Sequence, residues 1–353
     1  MNAKSLYLGL TYLLLLPVGL LFPGCNPEFE VLAPEKEIFA VYGVLHPDST
    51  EQYIRISRMF RTSGDSYIYA AENDLSVRNL RVTLVGPNTT YQAEMVTDVP
   101  KEPGLFRAAQ SVYRFTIPQN VALQPGSNYV LEIRKPDDPD FLITARTQIP
   151  TKPDFLFPSP PIFNESTGLY RLPTVKLFTD NEIRFKTGTG GGFELRFYLN
   201  FWNGVEMDET FWGPTKVFVE NQGCEENSDR GRFCYKIREW SVPIKFRSAF
   251  SQGPGPVSIN DSVTEARSPD LLPRTTRVEV TAIDSVFSNY LQINNPFGFG
   301  VNLLMDSPEY TNMSGDHIGI FGAINTDVRY FRMGICSRHF LGFVPSAAPP
   351  FCQ

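Results

Sequence analysis

Three histidines, His46, His317 and His339, supply all the imidazole in this chain of 353 residues. His317 follows Asp316 in a glycine-rich stretch, and His339 lies between Arg338 and Phe340. A Ser/His/Asp relay around either would have to assemble from distant residues, and a surface or packed role is the simpler reading of both. No G-x-S-x-G elbow, HExxH, P-loop or dinucleotide-binding glycine pattern occurs. The adjacent carboxylates Asp137-Asp138 and Glu225-Glu226 fall in expected turns, where acids serve local hydrogen bonding. Asp137, Asp138 and Asp140 could bind calcium with carbonyls, but the glycine and terminal glutamate of an EF-hand loop are missing. The expectation is a protein without catalytic residues, resident metal or cofactor. With a net charge of −6 and no run of Lys or Arg, nucleic-acid binding is not expected either.

The cysteines carry a different chemistry. Cys25 ends an apolar run, Leu6 to Phe22, that follows the single positive charge of Lys4 and is interrupted by Pro17. A basic start, an apolar stretch and the small residue Gly24 before Cys25 read as an export signal over residues 1–24. A transmembrane anchor is the alternative; the run is at the short limit for a span, and Pro17 breaks it. Gly24-Cys25 resembles the lipobox of bacterial lipoproteins, with Phe22 and Pro23 departing from its usual small residues. That resemblance implies a thioether-linked diacylglycerol on Cys25 and an acylated new N-terminus, so that lipid replaces the discarded run as the membrane anchor. Glu28 and Glu30 resemble the acidic signal that sends such proteins to the outer face of the outer membrane; a solvated linker accounts for them equally.

In an exported protein the remaining even set, Cys224, Cys234, Cys336 and Cys352, reads as disulfides. Spacing favours Cys224–Cys234 and Cys336–Cys352, each closing a short loop, the second pinning a tail that would otherwise fray. Zinc is the competing idea, but no CxxC pair or matching nearby His is present.

The elements that would position these residues are strands. Residues 25–38 form a polar tether. Beyond it, Ile54 and Ile56 alternate with Arg55 and Ser57; Leu80, Val82 and Leu84 with Arg81 and Thr83; Tyr129, Leu131 and Ile133 with Glu132 and Arg134. Turn signals at Gly86-Pro87, Pro103-Gly104, Pro125-Gly126 and Pro136 to Pro139 separate them, and no helix is expected before residue 150. This predicts a β-sandwich over 39–150. Six prolines crowd residues 150–173, so 151–174 is expected to be a stiff connector between domains. The second domain, 175–353, opens with the clearest alternation, GFELRFYLNFW, preceded by a glycine-rich turn at 188–192. Helical spacing of Val286, Phe287, Tyr290 and Leu291, with Asp284 as N-cap, predicts one helix near 284–294 packed on the second sheet. The fold class is therefore mainly β: two sandwich-like domains, the second with one packed helix.

Aromatic residues give the candidate binding site. Trp202, Phe211 and Trp212 surround a polar turn and could stack on a sugar ring or anchor a protein interface; covering the domain's own core edge is the bland alternative.

Two places carry a family resemblance. The order of strand 78–86, Gly104-Leu105-Phe106 and the Pro125-Gly126-x-x-Tyr129 turn resembles transthyretin-like and carboxypeptidase-regulatory-like sandwiches. Near the C-terminus, Asn295-Pro296-Phe297 and Gly319-x-Phe321-Gly322-Ala323, following a Tyr-bearing helix, are similar to a Bacteroidota outer-membrane lipoprotein family catalogued as a domain of unknown function. Where that family has Asn-Ile-x-Asn-Gly-Tyr-Gly, this chain has Asn312 to Gly319 with altered spacing. The resemblance implies a non-enzymatic accessory role at the cell surface, beside TonB-dependent transporters and their surface lipoproteins, with a glycan or peptide ligand as the alternative. The triplets beginning Asp48-Ser49, Asp261-Ser262 and Asp284-Ser285 resemble an O-glycosylation signal; helix capping explains Asp284 without a sugar.

Overall fold

Alternating apolar and polar side chains make strands that are buried on one face, and most of the described chain is strand. The computed structural model describes residues 37–62, 64–97, 99, 108, 110–175, 182–202, 207–218, 232–236, 258–259, 265–266, 276–293, 310–334 and 336–337. Internal contacts divide the chain into two compact units, Met1–Glu37 and Ile38–Gln353, and every described residue but Glu37 belongs to the second. The apolar run, Cys25, Glu28 and Glu30 lie outside the described residues, as do Cys224, Cys352, His339, Glu225-Glu226, Gly104 to Phe106 and Asn295 to Phe297.

The strands in chain order begin with β1 (Phe39–Leu45), β2 (Glu51–Arg58), β3 (Arg81–Val85), β4 (Thr90–Gln92), β5 (Glu94–Val96), β6 (Val112–Thr116), β7 (Asn128–Lys135) and β8 (Asp138–Gln148). The proline-rich stretch contributes β9 (Asp154–Phe157), β10 (Ile162–Asn164), β11 (Leu169–Arg171) and β12 (Thr174–Val175). Then come β13 (Glu182–Lys186), β14 (Gly192–Trp202), β15 (Met207–Phe218), β16 (Arg232–Lys236), β17 (Ser258–Ile259), β18 (Glu265–Ala266), β19 (Arg277–Ile283), β20 (Ile318–Tyr330) and β21 (Arg332–Met333). Two helices are described, α1 (Ser66–Glu72) and α2 (Ser285–Ile293).

A nine-stranded sheet runs in the order β15-β14-β19-β20-β1-β2-β6-β5, with β17 also on β14. One core lies between its β20-β1-β2-β6 part and the sheet β4-β3-β7-β8, joining Phe39, Ile54, Ile56, Phe115 and Phe321 to Val82, Leu131, Ile133 and Ile143. A second core joins Phe193, Leu195, Phe197 and Leu199 of β14 and Val278, Val280 and Ala282 of β19 to Phe155, Ile183 and Phe185 of the sheet β16-β13-β9.

The expectation of two domains parted at 151–174 is corrected by β20. Its first half pairs in parallel with β1, from Ala40↔Ile318 to Leu45↔Ala323. Its second half pairs antiparallel with β19, from Ile283↔Ile324 to Arg277↔Tyr330. One strand therefore serves both cores, and the first core is completed by residues from the C-terminal part of the chain. The stretch 151–174 also forms short strands, and its prolines stand between them, where no ladder N–H is needed.

One helix differs from the sequence reading and one agrees with it. Helix α1 lies in the region expected to be all strand; Asp65 caps it, its side chain accepting from the N–H of Tyr67 and of Ile68. The one helix expected from the sequence is α2, and Asp284 caps it, Oδ1 accepting from Phe287 N–H at 2.9 Å. The Pro125-Gly126 turn delivers Tyr129 into the core, where its hydroxyl accepts from Gln124 N–H at 2.8 Å, the arrangement of a tyrosine corner.

Candidate functional site

The hairpin of β14 and β15 builds the only sequence-predicted binding candidate that is described. Gly192↔Phe218 opens the register and Trp202↔Met207 closes it. Leu195 stands opposite Thr215 and Phe197 opposite Trp212, so Gly213 and Pro214 together face Arg196. Gly213 takes φ 118°, a conformation glycine reaches without strain, and Pro214 brings no N–H to the ladder.

This register spreads the three aromatic candidates rather than gathering them. Trp202 is at the closed end, paired with Met207 and with Ser258 of β17. Phe211 and Trp212 are consecutive and so occupy positions on opposite faces of β15, Phe211 across from Tyr198 and Trp212 across from Phe197.

Phe211 is 57% exposed, on the face turned away from the core. Its ring lies 5.9 Å from that of Tyr198, and on the far side of Tyr198 the Arg277 guanidinium stacks 3.8 Å from the ring centre. Cross-strand pairing dictates this row, since Phe211, Tyr198, Arg277 and Tyr330 are successive partners across β15, β14, β19 and β20. Arg277 is fixed by donating to both carboxylate oxygens of Glu209 and, through Nε, to Glu279 at 3.0 Å. Asn200 Nδ2 donates to Glu209 at 2.9 Å. Burial works against the charge of Arg277, and the hydrogen bonds to Glu209 and Glu279 outweigh it, holding its pKa above the ordinary value. Burial likewise pushes the Tyr330 phenol up, with Arg277 opposing. The result is a rigid aromatic and arginine row with its charges satisfied and one ring open at the edge strand. Tyr198 was legible as the outward face of GFELRFYLNFW; Arg277 and Glu209 were not, because only tertiary pairing brings them beside it.

The two described histidines are held by the backbone. His317 Nδ1 accepts the Phe39 N–H at 3.1 Å, and its ring packs beside those of Phe39 and Phe141 in a mutual cluster of three, with the Lys135 ammonium above both phenylalanines. His46 Nδ1 accepts from Asp48 N–H in the β1–β2 turn, and burial keeps its pKa below the ordinary value, with Asp48 opposing. Asp137 lies in the β7–β8 turn and Asp138 and Asp140 at the start of β8; all three are exposed, and Asp138 accepts from Asp140 N–H. Among the described residues no three of His, Cys, Asp and Glu stand together as metal ligands. Cys336 is disulfide-bonded, and Cys234 sits in β16 opposite Arg184.

Where the two cores meet, the polar groups are structural. Asp284 is 2% exposed; Oδ2 accepts from Thr147 Oγ1 at 2.6 Å and Oδ1 from Ala323 N–H as well as Phe287 N–H. Burial pushes its carboxyl up, and these hydrogen bonds oppose the shift. Thr151 and Thr189 exchange N–H to Oγ1 hydrogen bonds of 3.0 Å, docking the glycine-rich turn on the chain that follows β8. Searched against protein-family models and against the curated proteins, the chain matches none.

Proposed function

We propose that this chain is a lipid-anchored, surface-exposed outer-membrane lipoprotein, acting as a non-enzymatic accessory or scaffold subunit of an outer-membrane complex, with a TonB-dependent transporter as its partner. The observation that carries the binding role is the Phe211–Tyr198–Arg277 row. It offers a rigid aromatic at an outward sheet edge, backed by an arginine already held in place, and aromatic and arginine side chains dominate interface hot spots. The address rests on the apolar run ending at Gly24-Cys25. The non-enzymatic reading is supported by the described histidines, both committed to backbone hydrogen bonds.

Purification of the native protein in mild detergent tests this. The wild type should bring a TonB-dependent barrel with it, and Phe211→Ala should lose the barrel while melting as the wild type does. Recovery of the wild type alone, in stoichiometric amount, would refute the partner. A second reading, a glycan ligand, is favoured by Asn200 and Glu209 flanking the open Phe211 ring, where a sugar could stack and hydrogen-bond. Binding of a glycan by the purified protein, lost in Phe211→Ala, would select it.

A further inference from the structure

Both described histidines accept a backbone N–H through Nδ1, and they do so at the two ends of β1. At its start, Phe39 N–H donates to His317 at 3.1 Å, one residue before the parallel ladder opens at Ala40↔Ile318. At its far end, His46 follows Leu45 directly, and Nδ1 accepts from Asp48 N–H at 3.3 Å. Gln52 of β2 is 2% exposed and fixes the His46 backbone on both sides: Oε1 accepts its N–H at 2.9 Å, and Nε2 donates to its carbonyl at 2.8 Å. Between the two ends, Phe39, Val41 and Leu45 are fully buried in the first core. The described residues of the second core include no histidine.

A backbone N–H donates only to an unprotonated ring nitrogen, so both bonds require Nδ1 without a proton. Protonation turns each acceptor into a donor that faces a donor. At Phe39 this strips a backbone N–H of its partner at the margin of a packed core, where an unmet donor is costly. The charged groups on the elements around His317 are Lys135 of β7, above the Phe39 and Phe141 rings, Arg58 of β2, opposite Phe39, Asp140 of β8, beside Phe141, Asp316 in its own turn and Glu37 ahead of Phe39. Those around His46 are Asp48 in its turn and Lys152, which pairs with Asp48 at 3.4 Å. Burial holds His46 below its ordinary pKa, with Asp48 opposing and Lys152 reinforcing the shift. Folding therefore favours neutral His46; its contribution is complete above about pH 6.5 and is lost as pH falls from there.

We propose that β1 is an acid-sensitive fastening: neutral imidazoles hold it at both ends, and protonation of His317 and His46 loosens the first core along β1 while the second core, with the Phe211–Tyr198–Arg277 row, keeps its structure. The device stands on where the two rings sit and is independent of the lipoprotein reading. β1 is the strand by which the chain enters the described unit, so acid weakens the join between the preceding segment and the folded body. β20 loses its partner over its first half alone, because β19 still grips the second half. Opening confined to one strand and its neighbours is how folded chains commonly respond to a local loss of stability.

Hydrogen exchange of the full-length protein tests this, read residue by residue at about pH 7.5 and about pH 5, on either side of the ordinary histidine range, and divided by the intrinsic rates. The amides of β1, with Phe39 foremost, should lose protection about tenfold at the lower pH, while those of Val278 and Val280 in β19 hold theirs. His317→Asn and His46→Asn put Oδ1 in the place of Nδ1, an acceptor that does not titrate, so the double variant should keep β1 protected at both pH values. Wild-type β1 equally protected at both, equal losses in the two cores, or the same β1 loss in the double variant would each overturn the proposal. The comparison of the two cores is made within the wild type, so it decides the matter even where the double variant fails to fold.

Discussion

Replacing Asn312 should weaken the first core more than its surface position suggests, and a carboxylate there should be worse than a methyl group. The Asn312 amide clasps two sheets: Oδ1 accepts Phe321 N–H at 2.9 Å, and Nδ2 donates to Phe321 O at 2.8 Å and to Arg146 O at 3.0 Å. Beside it, Ser314 N–H donates to Thr144 O, and Ser314 Oγ accepts Thr144 N–H, so residues 312–314 cover the outer edge of β8. Each net hydrogen bond is worth about 0.5–1.5 kcal/mol. Asn312→Ala removes three, one of them solvent-accessible, and should cost about 2–3 kcal/mol, a fall of roughly 4–9 °C in Tm at about 2–3 °C per kcal/mol. Asn312→Asp keeps the acceptor for Phe321 N–H but sets a charged oxygen against two carbonyls. At pH 7 it should be less stable than Asn312→Ala by about 1 kcal/mol or more. The carbonyls raise the folded-state pKa of that carboxyl above its unfolded value of about 3.9. Its protonated form is favoured by folding, so the penalty is absent below the unfolded value and grows as pH rises through the folded one. Urea unfolding at pH 7 and near pH 4 should show the gap between the two variants closing at the lower pH. Asn312→Asp as stable as wild type at pH 7, or Asn312→Ala within about 0.5 kcal/mol of it, would refute the clasp.

Two further perturbations probe the junctions. Gly319 takes φ 120°, and a Cβ there would lie 1.9 Å from the Val41 carbonyl oxygen; Gly319→Ala should part β20 from β1 and cost more than about 3 kcal/mol, and an unchanged melting curve would contradict this. Burial raises the Asp284 carboxyl above its unfolded value, so wild-type stability should fall as pH rises from the unfolded carboxylate range through the folded value. Asp284→Asn can keep the bonds to Thr147, Phe287 and Ala323 and should flatten that slope; Asp327, also raised by burial, is common to both proteins and cancels in the difference. A variant more than about 2 kcal/mol less stable than wild type at pH 7 would show that the ionised form is required.

Local pattern carried most of the strand assignment. The period of two in Ile54/Ile56 and in Phe193 to Leu199 placed those side chains in the cores they now occupy. The Asp284 cap and the spacing after it placed α2. Helix α1 was hidden because Tyr and Ile in SYIYAAE favour strands, and the Asp65 cap precedes too short a run to show a helical period. The parallel partnership of β1 and β20 joins residues some 278 positions apart, as in Phe39 and His317, and leaves no mark in either segment. The same holds for the candidate surface: Phe211 was legible as an aromatic in a polar stretch, whereas the Arg277 and Glu209 that brace its neighbour depend on which strands meet. The proline crowd of 151–174 was visible, but the sheet spanning both sides of it was not.

Parallel alignment of β1 with β20 also sets how the protein bears load. Tension arriving through the chain ahead of Ile38 pulls β1 lengthwise along β20, whose other half is gripped by β19. The ladder from Ala40 to Leu45 must then slide as a set instead of peeling open rung by rung, so a pull on this chain meets a shear-loaded ladder first.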